Sequence, residues 1–189
     1  KDFFWSRLYE YPFALNFAKN LGRNSVCLDA ACGTYHPFKF ELTKYVKDVY
    51  AFDLEELDKN SIKTYINERF PNQDYDDILI DKVRMSTANI VALPYNDKMF
   101  DLYFCISSLE HMPIDIIRHG LMEAKRVLKD DGYIVLTCDF PTLHPDIMID
   151  MANFVGLKVF GEYDYAIDEN CVTSDYFGSK LYVYSMVLK

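Results

Sequence analysis

Two acidic residues and a small-residue turn sit at a spacing that suits a nucleoside. Asp29 closes the apolar run Val26-Cys27-Leu28, and Ala30-Ala31-Cys32-Gly33-Thr34-Tyr35 follows it. Asp53 closes the next apolar run, Val49-Tyr50-Ala51-Phe52. Ala31 and Gly33 carry little or no side chain, so a ligand can approach the backbone there. A β–α turn of this kind occurs in any α/β protein; the position of Asp53 is what makes it informative. An acid about 20 residues past the turn stands where a ribose is gripped, two carboxylate oxygens meeting two hydroxyls. The dinucleotide fingerprint G-x-G-x-x-G is absent, which weighs against a nicotinamide cofactor.

The histidines add acid–base candidates. His111 follows the apolar run Phe100–Ser107. It is the candidate general base, because an unperturbed imidazole titrates near pH 6.5. A structural role, bonding a carbonyl in the loop, suits the same residue equally well. His36 and His144 follow the first and fifth apolar runs, on the same expected edge. With Asp139 they are the nearest approach to a metal site, but their spacing matches no strong ligand motif, and no metal is expected. His119 falls inside a helical pattern. Tyr35, beside the turn, and Tyr11, in an aromatic N-terminal segment, join His36 as candidate walls for a second ligand.

These residues need strand ends to hold them. Strands are expected at 25–29, 48–53, within 78–85, at 100–107, 133–138, 157–165 and 180–188. Helices are expected at about 37–47, 54–70, 115–128 and 145–155. The 115–128 helix shows the clearest stripe, Ile116, Ile117, Leu121, Ala124 and Leu128, with Asp115 as its cap. Residues 2–21 read as two helical pieces broken near Pro12 and stopped at Gly22. Strands alternating with helices predict a mainly parallel sheet with right-handed crossovers and helices on both faces. One domain is expected over 1–189, with 1–22 a helical segment lying over the pocket and 23–189 the core.

Leu28-Asp29-Ala30-Ala31-Cys32-Gly33-Thr34 resembles the first motif of class I S-adenosylmethionine-dependent methyltransferases, roughly L-D-x-G-C-G-x-G. Ala31 stands for the first glycine and Tyr35 for the last. Asn89-Ile90-Val91-Ala92-Leu93-Pro94-Tyr95 resembles the family stretch D-A-x-x-L-P-F, and Phe100 to His111 ends in its common L-E-H. Glu123 to Gly132 resembles E-x-x-R-V-L-K-x-G-G. The resemblance spans about 25–140. It implies a Rossmann-like three-layer sandwich with a seven-stranded, mainly parallel sheet whose last strand is antiparallel. It implies S-adenosylmethionine as cofactor, held by Asp29, Ala31, Gly33, Asp53, Leu54, Asn89, Ile90, Ile106 and Ser107. Asn89 would meet the adenine amino group, and Ile106 and Ser107 the methionine half. His111 is then the catalytic candidate, and Tyr11, Tyr35 and His36 are the acceptor candidates.

Composition narrows the acceptor. Net charge is −9 and the sequence pI is about 4.9, which disfavours nucleic acid as a partner. A small-molecule acceptor is the expectation; an RNA or protein acceptor, or a non-catalytic nucleoside-binding domain, are the alternatives. The five cysteines form no C-x-x-C pair, and three fall in apolar strand patterns, which suits a reducing, cytoplasmic setting. No apolar run reaches about 18 residues, so no membrane span is expected. The oligomeric state is left open by the sequence.

Overall fold

Apolar residues occupy both faces of the central strands, so helices must cover the sheet twice. The computed structural model describes residues 5–69, 77–167, 169–175 and 178–189. Its elements are α1 (Arg7–Leu21), β1 (Val26–Ala30), α2 (Phe38–Leu42), β2 (Asp48–Asp53), α3 (Lys59–Arg69), α4 (Asp77–Lys82), β3 (Val83–Thr87), β4 (Phe100–Ile106), α5 (Ile114–Val127), β5 (Leu128–Phe140), α6 (Pro145–Phe154), β6 (Thr173–Ser174) and β7 (Leu181–Leu188). The strands make one sheet ordered β3-β2-β1-β4-β5-β7-β6. β1 to β5 run parallel, and β7 is antiparallel to both its neighbours. The chain has the expected α/β Rossmann-like fold, with the order reversing between β1 and β4. A crevice opens at the carboxyl edge of such a reversal.

The strand period of two divides the core. Leu28, Tyr103, Cys105, Ile134 and Leu136 face α5 and α6, meeting Ile117, Leu121, Val127 and Met148. Cys27, Leu102, Phe104 and Val135 face the other way, meeting Ala14, Ala18, Phe38 and Phe40. Phe38 packs edge-on against Phe104, with ring centroids 5.2 Å apart. Burying one such ring contributes roughly 1.5–3 kcal/mol.

Several boundaries differ from expectation. α1 is one helix through Pro12, because burial of Glu10, Ala14 and Ala18 offsets the lost backbone bond. α2 is only five residues long. The helix expected from residue 54 starts at Lys59, since Asp58 accepts from the Ser61 N–H (2.8 Å) and caps the helix there. Residues 77–82 are helical, and the third strand follows them. Pro113, not Asp115, precedes α5. β5 begins at Leu128 and passes through Gly132, where a Cβ would lie 2.9 Å from the Asp101 carbonyl oxygen. The segment 157–165 is not a strand. It makes a single bridge, Val159 to Leu188, before Gly161 (φ +88°) turns the chain away. The sixth strand instead lies inside the expected loop, at Thr173–Ser174.

Candidate active site

The turn after β1 is built by its neighbours. The Cys32 N–H donates to the Phe52 carbonyl (3.0 Å) and the Gly33 N–H to Asp53 Oδ2 (2.8 Å). Asp53 Oδ1 accepts from the Glu55 N–H (3.2 Å). Ala31 (φ +49°) and Gly33 (φ +60°) both adopt left-handed backbone, and a Cβ on Gly33 would sit 2.5 Å from the His36 ring. The ammonium of the fully buried Lys39 donates to the carbonyls of Gly33 and His36, both at 2.7 Å. Asp29, 2% exposed, has one carboxylate oxygen, Oδ2, with no hydrogen-bond partner. Burial pushes its carboxyl up to about 7, opposed by the Lys39 charge and reinforced by Asp53.

A cleft of about 490 Å³ lies over this turn, between the ends of β1, β2 and β4. Asp29, Ala31, Gly33, Asp53, Ile106, Ser107 and His111 all line it, as do Tyr11 and His36. The Tyr11 hydroxyl lies 3.2 Å from His36 Nδ1. Burial, with the Arg7 and Lys39 charges, holds His36 down to about 4, so its ring is neutral at pH 7. Burial raises the Tyr11 hydroxyl as well.

The far wall is fastened to α1. Glu10, fully buried, accepts from Ser6 Oγ (2.8 Å), Ser107 Oγ (2.5 Å) and Thr137 Oγ1 (2.7 Å), and pairs with Arg7. One carboxylate thus joins the helix to the ends of β4 and β5. Ser107 turns the chain with φ +45°, and Ser108 Oγ donates to the Ala31 carbonyl (3.1 Å), tying the two turns together. His111 is exposed in the 3-10 turn Leu109–His111; among the described residues its ring makes no hydrogen bond. Beneath it Glu110 is buried, and burial raises its carboxyl to about 8. Burial, with Glu10 nearby, raises Asp139 to about 6.

Four expected residues lie apart from the cleft lining. Leu54 is 71% exposed. Asn89 is exposed and accepts from the Val91 N–H (3.2 Å) in a local turn, while Ile90 is buried against Gly120. Tyr35 does not cover the mouth; its ring stacks against Tyr65 of α3, with centroids 4.3 Å apart. Arg7 lines the cleft and pairs with Glu10. Lys39, Glu10 and Ser108 were not expected. A lysine between two apolar Phe residues, and an Arg-x-x-Glu pair inside an aromatic helix, are the signals that mark the first two. Among the described residues, no three His, Cys, Asp or Glu side chains are grouped to hold a metal.

Residues 28–136, more than half of the chain, match the methyltransferase domain family. The chain belongs to that family. One curated relative, an uncharacterized protein of Methanocaldococcus jannaschii, is 34% identical over 79 residues, 42% of this chain and 32% of the relative. The match therefore spans about a third of that relative's length. Solved structures share the fold at low identity. A SAM-dependent methyltransferase from Aquifex aeolicus aligns with TM-score 0.64 and 17% identity, covering 99% of this chain and 93% of that one. The 1,6-didemethyltoxoflavin-N1-methyltransferase of Burkholderia thailandensis, solved with S-adenosylhomocysteine, aligns at 0.66 and 16%, covering 97% and 79%. Geranyl diphosphate C-methyltransferase of Streptomyces coelicolor aligns at 0.68 and 14%, with the same coverage.

The methyltransferase's cofactor is S-adenosylmethionine, and the cleft suits it. The cofactor carries ribose hydroxyls and an ammonium, which donate hydrogen bonds. Asp53 and the unpartnered Asp29 oxygen are acceptors at the cleft floor. A bare Gly33 leaves the backbone open to close approach.

Proposed function

We propose that this methyltransferase transfers a methyl group from S-adenosylmethionine to a small-molecule acceptor. The observation that carries the reading is the convergence of Asp29, Gly33 and Asp53 on one cleft that His111 also lines. S-adenosylmethionine, when bound, supplies an electrophilic methyl carbon on a sulfonium. The chain does the rest. Asp53 holds the ribose hydroxyls, each charged hydrogen bond being worth roughly 1.5–3 kcal/mol. Asp29 accepts at the end of β1, and Ile106 and Ser107 line the methionine side. Most of the rate then comes from holding the acceptor atom in line with the methyl group.

His111 is the proton acceptor in this reading. It lines the cleft, its ring is free of hydrogen bonds among the described residues, and it is exposed, so a proton can pass on to solvent. His36 and Tyr11 wall the acceptor side. Two solved relatives in fold act, by name, on small molecules, 1,6-didemethyltoxoflavin and geranyl diphosphate. The net charge of −9 counts against RNA. Cytoplasmic location remains part of the proposal, supported by the thiols: Cys27, Cys32, Cys105 and Cys138 are all buried and unpaired. No helix among the described residues is long and apolar enough to cross a membrane.

The test is methyl-labelled S-adenosylmethionine incubated with the protein and a cell extract split into small-molecule filtrate and macromolecular retentate. Label should enter the filtrate. Label confined to RNA or protein would contradict the small-molecule reading.

A further inference from the structure

A second cavity of about 490 Å³ opens at the same sheet edge, over β5 and β7. β5 lies between the two, pairing with β4 on the cleft side and β7 on the cavity side, and the two have no lining residue in common among the described residues. α1 passes over both: Tyr11 lines the cleft and Tyr9 lines the cavity, its hydroxyl 2.9 Å from Ser185 Oγ. Glu10, between them in sequence, is bonded to β4 and β5 beneath.

The chemistry of the lining is one-sided. Tyr9, Phe140, Tyr165, Tyr182 and Tyr184 supply aromatic rings, and Asp146 and Asp164 supply carboxylates. No lysine or arginine is among the described residues that line it. Tyr165 and Tyr184 stand edge to face with centroids 5.6 Å apart; the Tyr165 hydroxyl is buried without a hydrogen-bond partner, and that of Tyr184 lies beside the Cys138 thiol. Tyr184 is 8% exposed. Ring faces attract cations, and phenol and carboxylate oxygens accept from N–H donors. The Lys180 ammonium already lies 5.3 Å from the Tyr182 ring centroid. A phosphate or carboxylate ligand would meet two negative side chains; the lining imidazole, His144, already lies with its Nδ1 3.4 Å from Asp146 Oδ2.

We propose that this cavity holds the methyl acceptor and that the acceptor is an organic amine, bound as its ammonium with its apolar body against the tyrosines. The inference rests on the methyl-transfer reading above and adds the substrate class. The amine nitrogen must reach from this cavity into the cleft, where it gives one proton to His111, a residue of the cleft lining, which releases it to solvent. The freed nitrogen lone pair then forms the N–CH₃ bond. The electron pair of the broken S–CH₃ bond stays on sulfur, so the positive charge passes from sulfonium to the methylated nitrogen. No oxidant, metal or further reactant enters.

Calorimetric titration of the whole chain, saturated with S-adenosylhomocysteine, tests this with three matched probes: phenethylamine, 2-phenylethanol and 3-phenylpropionate. Phenethylamine should bind at least about tenfold more tightly than the neutral or anionic probe. The double variant Asp146→Asn, Asp164→Asn should lose most of that preference. Asn keeps an oxygen for the bond that Asp164 accepts from the Ala166 N–H (2.8 Å), so the loop remains capped. Tyr182→Ala should weaken phenethylamine while leaving S-adenosylhomocysteine affinity unchanged. Equal binding of all three probes, or no amine binding while S-adenosylhomocysteine still binds, overturns the amine assignment and leaves methyl transfer intact. Amine binding that none of these variants changes overturns the cavity as its site. Failure to bind S-adenosylhomocysteine at all overturns the methyl-transfer reading itself.

Discussion

Asp29 is the residue whose energetics and role pull in opposite directions. A carboxyl held at about 7 by burial binds a proton more tightly in the folded chain than in the unfolded one. Its contribution is therefore neutral below the unfolded value near 4 and becomes a penalty as pH rises toward 7. That penalty is at most about 4 kcal/mol at alkaline pH. Asp29→Asn should raise the unfolding temperature of the ligand-free protein at pH 8 and change it little at pH 4, as followed by circular dichroism, while weakening S-adenosylmethionine binding. An unchanged melting temperature at pH 8 would mean that Asp29 is solvated and not an acceptor waiting for a ligand. His36 works with the opposite sign. Its ring, held down to about 4, favours the folded state above pH 6.5, and that stability is lost as pH falls toward 4. At His111, replacement by Ala should lower kcat by roughly 10²–10⁴-fold and leave S-adenosylhomocysteine affinity intact. Steady-state kinetics beside calorimetry separates the two, and activity within a few-fold of the parent would show that positioning suffices. At this scale the sequence was readable where the chemistry is local. Asp29, Gly33 and Asp53 belong to two strand ends, and the parallel register Asp29–Ala51 and Ala30–Phe52 brings those ends together. Tyr35, Leu54, Asn89 and Ile90 are not among the cleft-lining residues because neighbours decide their directions: the Tyr65 ring for Tyr35, solvent for Leu54, the core at Gly120 for Ile90.

At the scale of elements, α1 is the piece held by chemistry rather than by apolar area alone. Glu10 ties it to Ser107 and Thr137, so the helix is fixed to the strand ends that bear the site. Glu10→Ala leaves Arg7 without its carboxylate and three hydroxyls, those of Ser6, Ser107 and Thr137, without that acceptor. It should cost roughly 2–4 kcal/mol of stability and speed hydrogen exchange across Arg7–Leu21. Exchange rates unchanged over α1 would show that Ala14 and Ala18 hold it without the carboxylate. A Glu in an aromatic helix reads as its solvent side, and its spacing from Arg7 is the one sequence signal of this tie. The single helix through Pro12 has the same cause: tertiary bonds override a local breaker. The missing strand over 157–165 is an error of another kind. Residues 158–160 run along only the end of β7, through three backbone hydrogen bonds to Val187 and Lys189, and Gly161 redirects the chain after that short contact.

For the whole molecule, strand order places everything that can do chemistry on one edge. The reversal between β1 and β4 makes the cleft lined by Asp29, Gly33 and Asp53, and the antiparallel β7 beside β5 makes the aromatic cavity. The alternation of strands and helices made this architecture readable before any side chain was placed, because buried parallel strands show as continuous apolar runs. The aromatic cavity was less readable, since it joins residues of α1, the α6 entry, the 164–172 loop and β7, far apart in the chain. The account stands on the cleft as a nucleoside-sulfonium site anchored by Asp53, and calorimetry of S-adenosylmethionine binding to the parent protein and to Asp53→Ala tests it most directly. Loss of one charged hydrogen-bonding group should weaken binding by roughly 10- to 100-fold. Equal affinity in an Asp53→Ala protein that folds normally would contradict the account.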